Sequence, residues 1–140
     1  MADRIVINGD QVHFQPTFAL AVVTVAPGII SGTGKSVAGQ PICVEGDEKS
    51  VKVIGCPYTT PQFPVPGIGT IQIDKLAIDQ LSILTKDQGK KIITRGNGYF
   101  MAKFEVLSPA TNPPAASTDA MISYPGSGKF ITINSKVRAK

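Results

Sequence analysis

Apolar residues along this chain recur in short alternating runs, each broken after a few positions by a turn-forming pair. Ile5-Val6-Ile7-Asn8-Gly9-Asp10-Gln11-Val12 shows the form: an apolar triplet, a turn, then another apolar residue. Residues 37–44, 71–78 and 131–138 repeat it, and each phrase predicts strand, tight turn, strand. Asn-Gly and similar pairs supply the positive φ that hairpin turns require. The phrases are degenerate rather than copies, so they express one device used repeatedly. Between them, residues 18–25 predict one buried strand from their β-branched content. Val51 and Val53 mark a strand over 49–54, and 99–107 predicts a strand with Phe100, Ala102, Phe104 and Val106 on one face. No long 3.6-residue period is present; the best helix candidate is 79–86, where a strand fits nearly as well.

Two stretches predict loops. Residues 56–67 contain Pro57, Pro61, Pro64 and Pro66, which exclude helix and interior strand and favour a stiff, extended path. Residues 108–119 carry Pro109, Pro113 and Pro114 among Ala and Ser, with no charge before Asp119. This reads as a linker or surface excursion. The expected organisation is a β domain over 1–107, a Pro/Ala/Ser-rich loop or linker over 108–119, and a C-terminal strand-turn-strand extension over 120–140.

Composition narrows the class. A chain of 140 residues is one domain. Its 14 Gly and 11 Pro argue against a helical bundle or coiled coil and suit short strands joined by many turns. Charged residues are 17%, which excludes a charged disordered tail. One His, no Trp and no acidic cluster leave few general acids or bases, so an enzyme is not expected. The net charge of +4 is spread along the chain, densest at Lys86, Lys90, Lys91 and Arg95 and again at Lys136, Arg138 and Lys140. Nucleic-acid binding wants such charge concentrated on one face, so no nucleic acid is expected as partner. A small β-barrel that binds nucleic acid, or a metal-dependent module, is the alternative reading. The N-terminus lacks the basic-then-apolar order of a signal peptide, and the apolar stretch 18–30 is too short to span a bilayer. Synthesis in the cytoplasm with reduced thiols is therefore expected.

Three motifs carry candidate chemistry. Gly32-Thr33-Gly34-Lys35-Ser36 ends like a phosphate-binding loop, but the first required glycine falls on Ile29 and no helix start follows, which leaves a Gly-rich surface loop. His13, Cys43 and Cys56 are the only soft metal ligands. A zinc site would need them to converge with a water or carboxylate as fourth ligand, and no Cys-x-x-Cys or His-x-His spacing supports that. A nucleophilic site would draw on the same residues, and nothing in their spacing selects it.

Three longer phrases go further: Gly34-Lys-Ser-Val-Ala-Gly-Gln-Pro-Ile-Cys-Val-Glu-Gly-Asp47, then Val53-Ile54-Gly55-Cys56-Pro57, then Gly67-Ile68-Gly69-Thr70-Ile71-Gln72-Ile73-Asp74-Lys75-Leu76-Ala77. With them, the region from about residue 5 to 107 resembles the PAAR-like proteins that tip the spikes of contractile injection machines: type VI secretion systems, contractile phage tails and phage-tail-like particles. The resemblance implies an all-β fold of short strands and tight turns wound into a compact cone, here with a C-terminal β-hairpin-like extension. It implies a structural, non-enzymatic tip that caps and sharpens a spike and helps pierce a target envelope. Gly34, Gly39, Pro41, Gly46, Asp47, Gly55, Pro57, Gly67 and Gly69 would form its turn and apex motif. Zinc-binding members use three His and one Cys near the apex; with one His, this chain can match only in part, at His13, Cys43 and Cys56. The expected cofactor is thus none, or one structural metal ion (zinc or iron). The implied partners are a trimeric VgrG-like spike, one tip per trimer, an effector or cargo, and, transiently, the target membrane. Such a tip would be made in the bacterial cytoplasm and assembled into an injection particle, of a kind that can be released from the cell.

Overall fold

A computed structural model describes residues 3–37, 39–96, 98–132 and 138–139. Its regular structure is β throughout, apart from three short 3-10 turns. Eight strands build one main sheet: β1 (Gln11–Phe14), β2 (Thr17–Phe18), β3 (Ala21–Val23), β4 (Gly28–Ile29), β5 (Lys52–Thr59), β6 (Gly67–Lys75), β7 (Phe100–Ser108) and β8 (Ser123–Ile131). Their order is β2-β3-β5-β6-β7-β8-β1-β4, and every neighbouring pair is antiparallel. The sheet curls into a half-barrel, consistent with the compact conical domain expected.

Alternation fixes what the sheet encloses. Phe100, Ala102 and Phe104 of β7 point inward, as the sequence pattern predicts, beside Ile71 and Ile73 of β6 and Tyr124 and Phe130 of β8. Aromatic rings fill the hollow: Tyr58 and Phe104 lie 5.0 Å apart, Phe100 and Phe130 5.2 Å, and Phe14 meets Phe100 edge-on at 5.8 Å. The rings fit because glycines face them. At Gly69 the Phe104 ring lies where a Cβ would be, and at Gly126 the Phe18 ring does.

Several expectations are corrected. Residues 18–25 are not one strand. The chain turns at Ala19 (φ 55), so β2 and β3 form a hairpin. Phe18 and Ala21 would face opposite sides of a continuous strand, and the turn brings both into the core. The stretch 56–67 is not all loop: β5 runs through Pro57 to Thr59 and is interior. A bulge between Val53 and Cys56 shifts its register, with Gly55 at φ 80. From the β3 side, Thr24 N–H donates to the Pro57 carbonyl (2.9 Å), so that contact asks Pro57 only for an acceptor. The 79–86 helix is replaced by a 3-10 turn, Ile78–Gln80, and a strand, Leu81–Asp87, that pairs with Lys90–Ile93. Tertiary pairing decides there, since the buried Gln80 side chain accepts from Ala77 N–H and its carbonyl from Thr94 N–H (both 2.9 Å). The phrase at 71–78 holds no hairpin, because β6 continues straight to Lys75.

The C-terminal part is not an appendage over its described length. β8 lies between β7 and β1 in the middle of the sheet, so 108–119 is an excursion within one domain rather than a linker. Residues 133–137 and 140 of the expected extension lie outside the described residues; Arg138–Ala139 pairs with Asp3–Arg4.

The registers sort the molecule into two ends. Tyr58 pairs with Gly67, Ser108 with Ile68, and Glu105 with Ser123, which gathers the loops 60–66 and 109–122 at one end. Lys52, Lys75, Phe100 and Ile131 mark the other.

Candidate functional site

At that second end, three short segments meet: 5–7, 42–44 and 92–94. Val6 N–H donates to Ile93 O (3.0 Å), Ile93 N–H to Cys43 O (2.9 Å), and Cys43 N–H to Val6 O (2.9 Å), closing a ring. A second ring lies beside it: Asn8 N–H to Pro41 O (2.8 Å), Glu45 N–H to Lys91 O (2.8 Å) and Arg95 N–H to Arg4 O (2.9 Å). The bridges Ile7–Ile42, Val44–Ile92 and Ile5–Thr94 follow the same cycle. The segments are therefore equivalent under a pseudo-threefold rotation.

The sequence carries this equivalence. Ile5-Val6-Ile7-Asn8-Gly9, Ile42-Cys43-Val44-Glu45-Gly46 and Ile92-Ile93-Thr94-Arg95-Gly96 align position by position. Their closing glycines share positive φ: 89, 102 and 68°. Alternation splits the side chains. Val6, Cys43 and Ile93, each 0% exposed, join the main core, and Ile5, Ile7, Ile42, Val44 and Ile92 form a separate apolar cluster. Two copies continue into an aspartate. Asp10 and Asp47 each accept the N–H three residues back, from Ile7 and Val44 (both 2.9 Å). Asp47 also accepts from Thr33 N–H (3.0 Å) and Thr33 Oγ1 (2.8 Å). The third copy, 92–96, is the one the sequence reading missed; its Ile92-Ile93 pair and the glycine at 96 were the signal on offer, with Thr94 in the third place of the triplet.

The other predicted positions fall around this collar or far from it. Gly34 donates its N–H to Ile42 O (2.9 Å), and Gly39 (φ 83) and Pro41 belong to the hairpin of Ser36–Val37 with Gln40–Pro41. Gly46 precedes the 3-10 turn Asp47–Ser50. Gly55 and Pro57 lie in β5, and Gly67 and Gly69 in β6, where Gly67 is packed against the backbone at Ser108 and Ala110. In the 32–36 loop, Asn8 Oδ1 holds Gly32 N–H (2.9 Å) and Asp87 Oδ2 holds Lys35 N–H (2.7 Å), so side-chain oxygens occupy amides a phosphate would need.

The candidate metal ligands are not brought together. His13 is exposed on β1, hydrogen-bonded to Gln11 Oε1 (2.9 Å). Cys43 is buried in the collar, and Cys56 is buried in β5 with its Sγ directed to Val53 O (3.6 Å). Burial, then the nearby Asp47 and Asp10 carboxylates, push the Cys43 thiol far up, and burial raises Cys56, so neither favours the thiolate a metal binds. Among the described residues, no three His, Cys, Asp or Glu side chains are grouped to hold a metal ion. These residues do not fit a zinc or iron site.

The opposite end differs in chemistry. Segments 15–28, 53–73 and 106–128 contain a single charged residue, Asp119, and it is 6% exposed. Tyr124 Oη (2.7 Å), Tyr58 Oη (2.8 Å) and Met121 N–H (3.0 Å) all donate to its carboxylate. Burial alone would raise Asp119, but these three donors outweigh it and hold the carboxyl below its ordinary value. Burial and the adjacent carboxylate push Tyr58 up to about 12 and raise Tyr124 as well. Nothing in the local sequence announced this cluster.

The chain is thus an all-β module with a pseudo-threefold collar at one end. The full length of the chain, residues 1–140, matches the family model of contractile injection system spike tip proteins, and the chain belongs to that family. The family is one of structural spike-tip proteins, so the chain is a component of a contractile injection system. A comparison with curated proteins gives no match. Among the described residues, no helix is long and apolar enough to cross a membrane.

Proposed function

We propose that this protein caps a trimeric, VgrG-like spike, one chain per trimer, with the collar as its docking end, and that it sharpens the spike and helps it pierce a target envelope. The observation that carries this reading is the pair of backbone hydrogen-bond rings. Three identical spike chains present the same surface three times, and an ordinary monomer would meet them in three unlike ways. A single chain built on three equivalent segments repeats one framework three times about a common axis. The role is structural rather than enzymatic, with cytoplasmic synthesis followed by assembly into the particle.

Co-expression with the spike trimer tests it. The expected product is a complex whose mass corresponds to one tip per three spike chains. Tip and trimer that elute apart at micromolar concentration overturn it.

A further inference from the structure

We propose that the recess flanked by the β2–β3 turn and the loops 60–66 and 109–122 binds a small organic ammonium ion, a primary amine on an apolar body, with Asp119 as its counter-charge. This goes beyond the capping reading and does not rest on it.

Three observations converge. First, the recess has the size and wall of a ligand site. Its volume is about 440 Å³, and small-molecule pockets usually measure about 300–1,000 Å³. Leu20, Pro61, Phe63 and Met121 line it. Leu20 is 73% exposed and Met121 51%. An apolar body seated here takes their surface out of water.

Second, the wall holds a negative charge with no cation. Asp119 lines the recess and is 6% exposed. Burial would raise its carboxyl, but its donors outweigh that, so it is a carboxylate at neutral pH. Those donors are neutral groups: the Tyr58 and Tyr124 hydroxyls and the Met121 N–H. A buried carboxylate is ordinarily paired with a positive charge. The segments 15–28, 53–73 and 106–128 contain no Lys, Arg or His. Lys103 stands opposite Pro125 in the β7–β8 register, but it pairs with Glu105 (3.1 Å). Among the described residues no ion pair reaches Asp119. The missing charge comes with the ligand.

Third, the carboxylate has capacity to spare. Both hydroxyls donate to Oδ2, at 2.8 and 2.7 Å, while Oδ1 takes only the Met121 N–H (3.0 Å). Each carboxylate oxygen has two lone-pair directions, so Oδ1 can accept one more donor. Phe63 and Tyr124 belong to the same wall, and aromatic faces attract cations. An anionic ligand would meet Asp119 as a like charge.

Titration of the full-length protein with phenethylamine hydrochloride at neutral pH tests the proposal, read by calorimetry and by NMR amide shifts. Saturable one-to-one binding is expected, with the shifts centred on 19–20, 60–63 and 119–125. Phenethyl alcohol, the same body without the charge, should bind at least about tenfold more weakly. Hydrocinnamate, the anionic counterpart, should not bind. Asp119→Asn should weaken the amine at least about tenfold. Because that change also loosens the fold, Leu20→Lys gives an independent check. It sets a like charge in the wall at an exposed position, so it should weaken the amine at least about tenfold and leave the thermal midpoint in place. No binding of the amine at millimolar concentration overturns the proposal. So does an alcohol that binds as tightly as the amine, which would make the recess merely apolar. Undiminished binding by a folded Leu20→Lys protein, or shifts centred on another part of the molecule, overturns it as well.

Discussion

Tyr58 and Asp119 lie 61 positions apart in the chain and share a 2.8 Å hydrogen bond in the interior. That bond fastens the 109–122 excursion to β5, and Ala110 N–H donates to the same hydroxyl (3.0 Å). Removing the hydroxyl leaves a buried carboxylate and a buried amide short of a partner. Tyr58→Phe and Asp119→Asn are each expected to cost about 1–3 kcal/mol in urea unfolding. The double variant should cost clearly less than the two added together, because both break the same network.

Stability should fall at both extremes of pH, for separate reasons. The Asp119 carboxyl is held below its ordinary value in the folded state, so its contribution is present above the unfolded value of 3.8 and is lost as pH falls through the lower folded value. Tyr58 is raised from 10.0 to about 12, so its contribution is complete below pH 10 and is lost as pH climbs towards 12, where the unfolded chain ionises first. Thermal unfolding of wild type and Tyr58→Phe across this range should show a smaller alkaline decline in the variant.

Two glycines should respond differently to the same methyl group. At Gly55 there is open space, and alanine meets only the unfavourable φ of 80, which costs about 1–2 kcal/mol. At Gly69 a Cβ would overlap the Phe104 ring and the Glu105 carbonyl. Gly69→Ala should therefore cost more than Gly55→Ala, about 3 kcal/mol or beyond, or prevent folding. Denaturation midpoints of the two variants rank them.

Asp47 ties two segments together at its turn. Asp47→Ala frees Val44 N–H, Thr33 N–H and Thr33 Oγ1 together. It should destabilise by about 1–3 kcal/mol. An unchanged midpoint in chemical denaturation would count against this reading of the turn.

The thiols should be inert in the folded protein. Both are buried and raised by burial, so Ellman's reagent should label Cys43 and Cys56 only at the rate of unfolding. Equimolar zinc should leave the unfolding midpoint where it is. Rapid labelling of both thiols in native buffer would contradict the packing described.

Local pattern made parts of this fold legible. The alternation at Phe100, Ala102 and Phe104 gave the strand and its inner face, because packing against both neighbours agrees with local preference there. Pro57 misled, since proline argues against an interior strand, and only the bulge at Gly55 and the donor at Thr24 make room for it. Ser123–Ile131 read as an appendage because a linker-like stretch precedes it; its place between β7 and β1 depends on pairing partners remote in sequence. The collar was half visible. Two of its three phrases were read, and Thr94-Arg95 disguised the third. The Tyr58–Asp119–Tyr124 cluster was invisible, because its members become neighbours only after the chain has folded.

β6 and β7 are 9 residues long each, and both span the distance between the collar end and the opposite end, in opposite directions. At about 3.3 Å per residue they form struts of about 30 Å. A blow delivered along them is carried by covalent backbone in compression. The cross-strand hydrogen bonds lie perpendicular to that direction, so strands can slip only if a whole ladder shears at once, not bond by bond as in a zip. The molecule should therefore be strongest against thrust and weakest against a sideways peel at its short outer strands, β2 and β4.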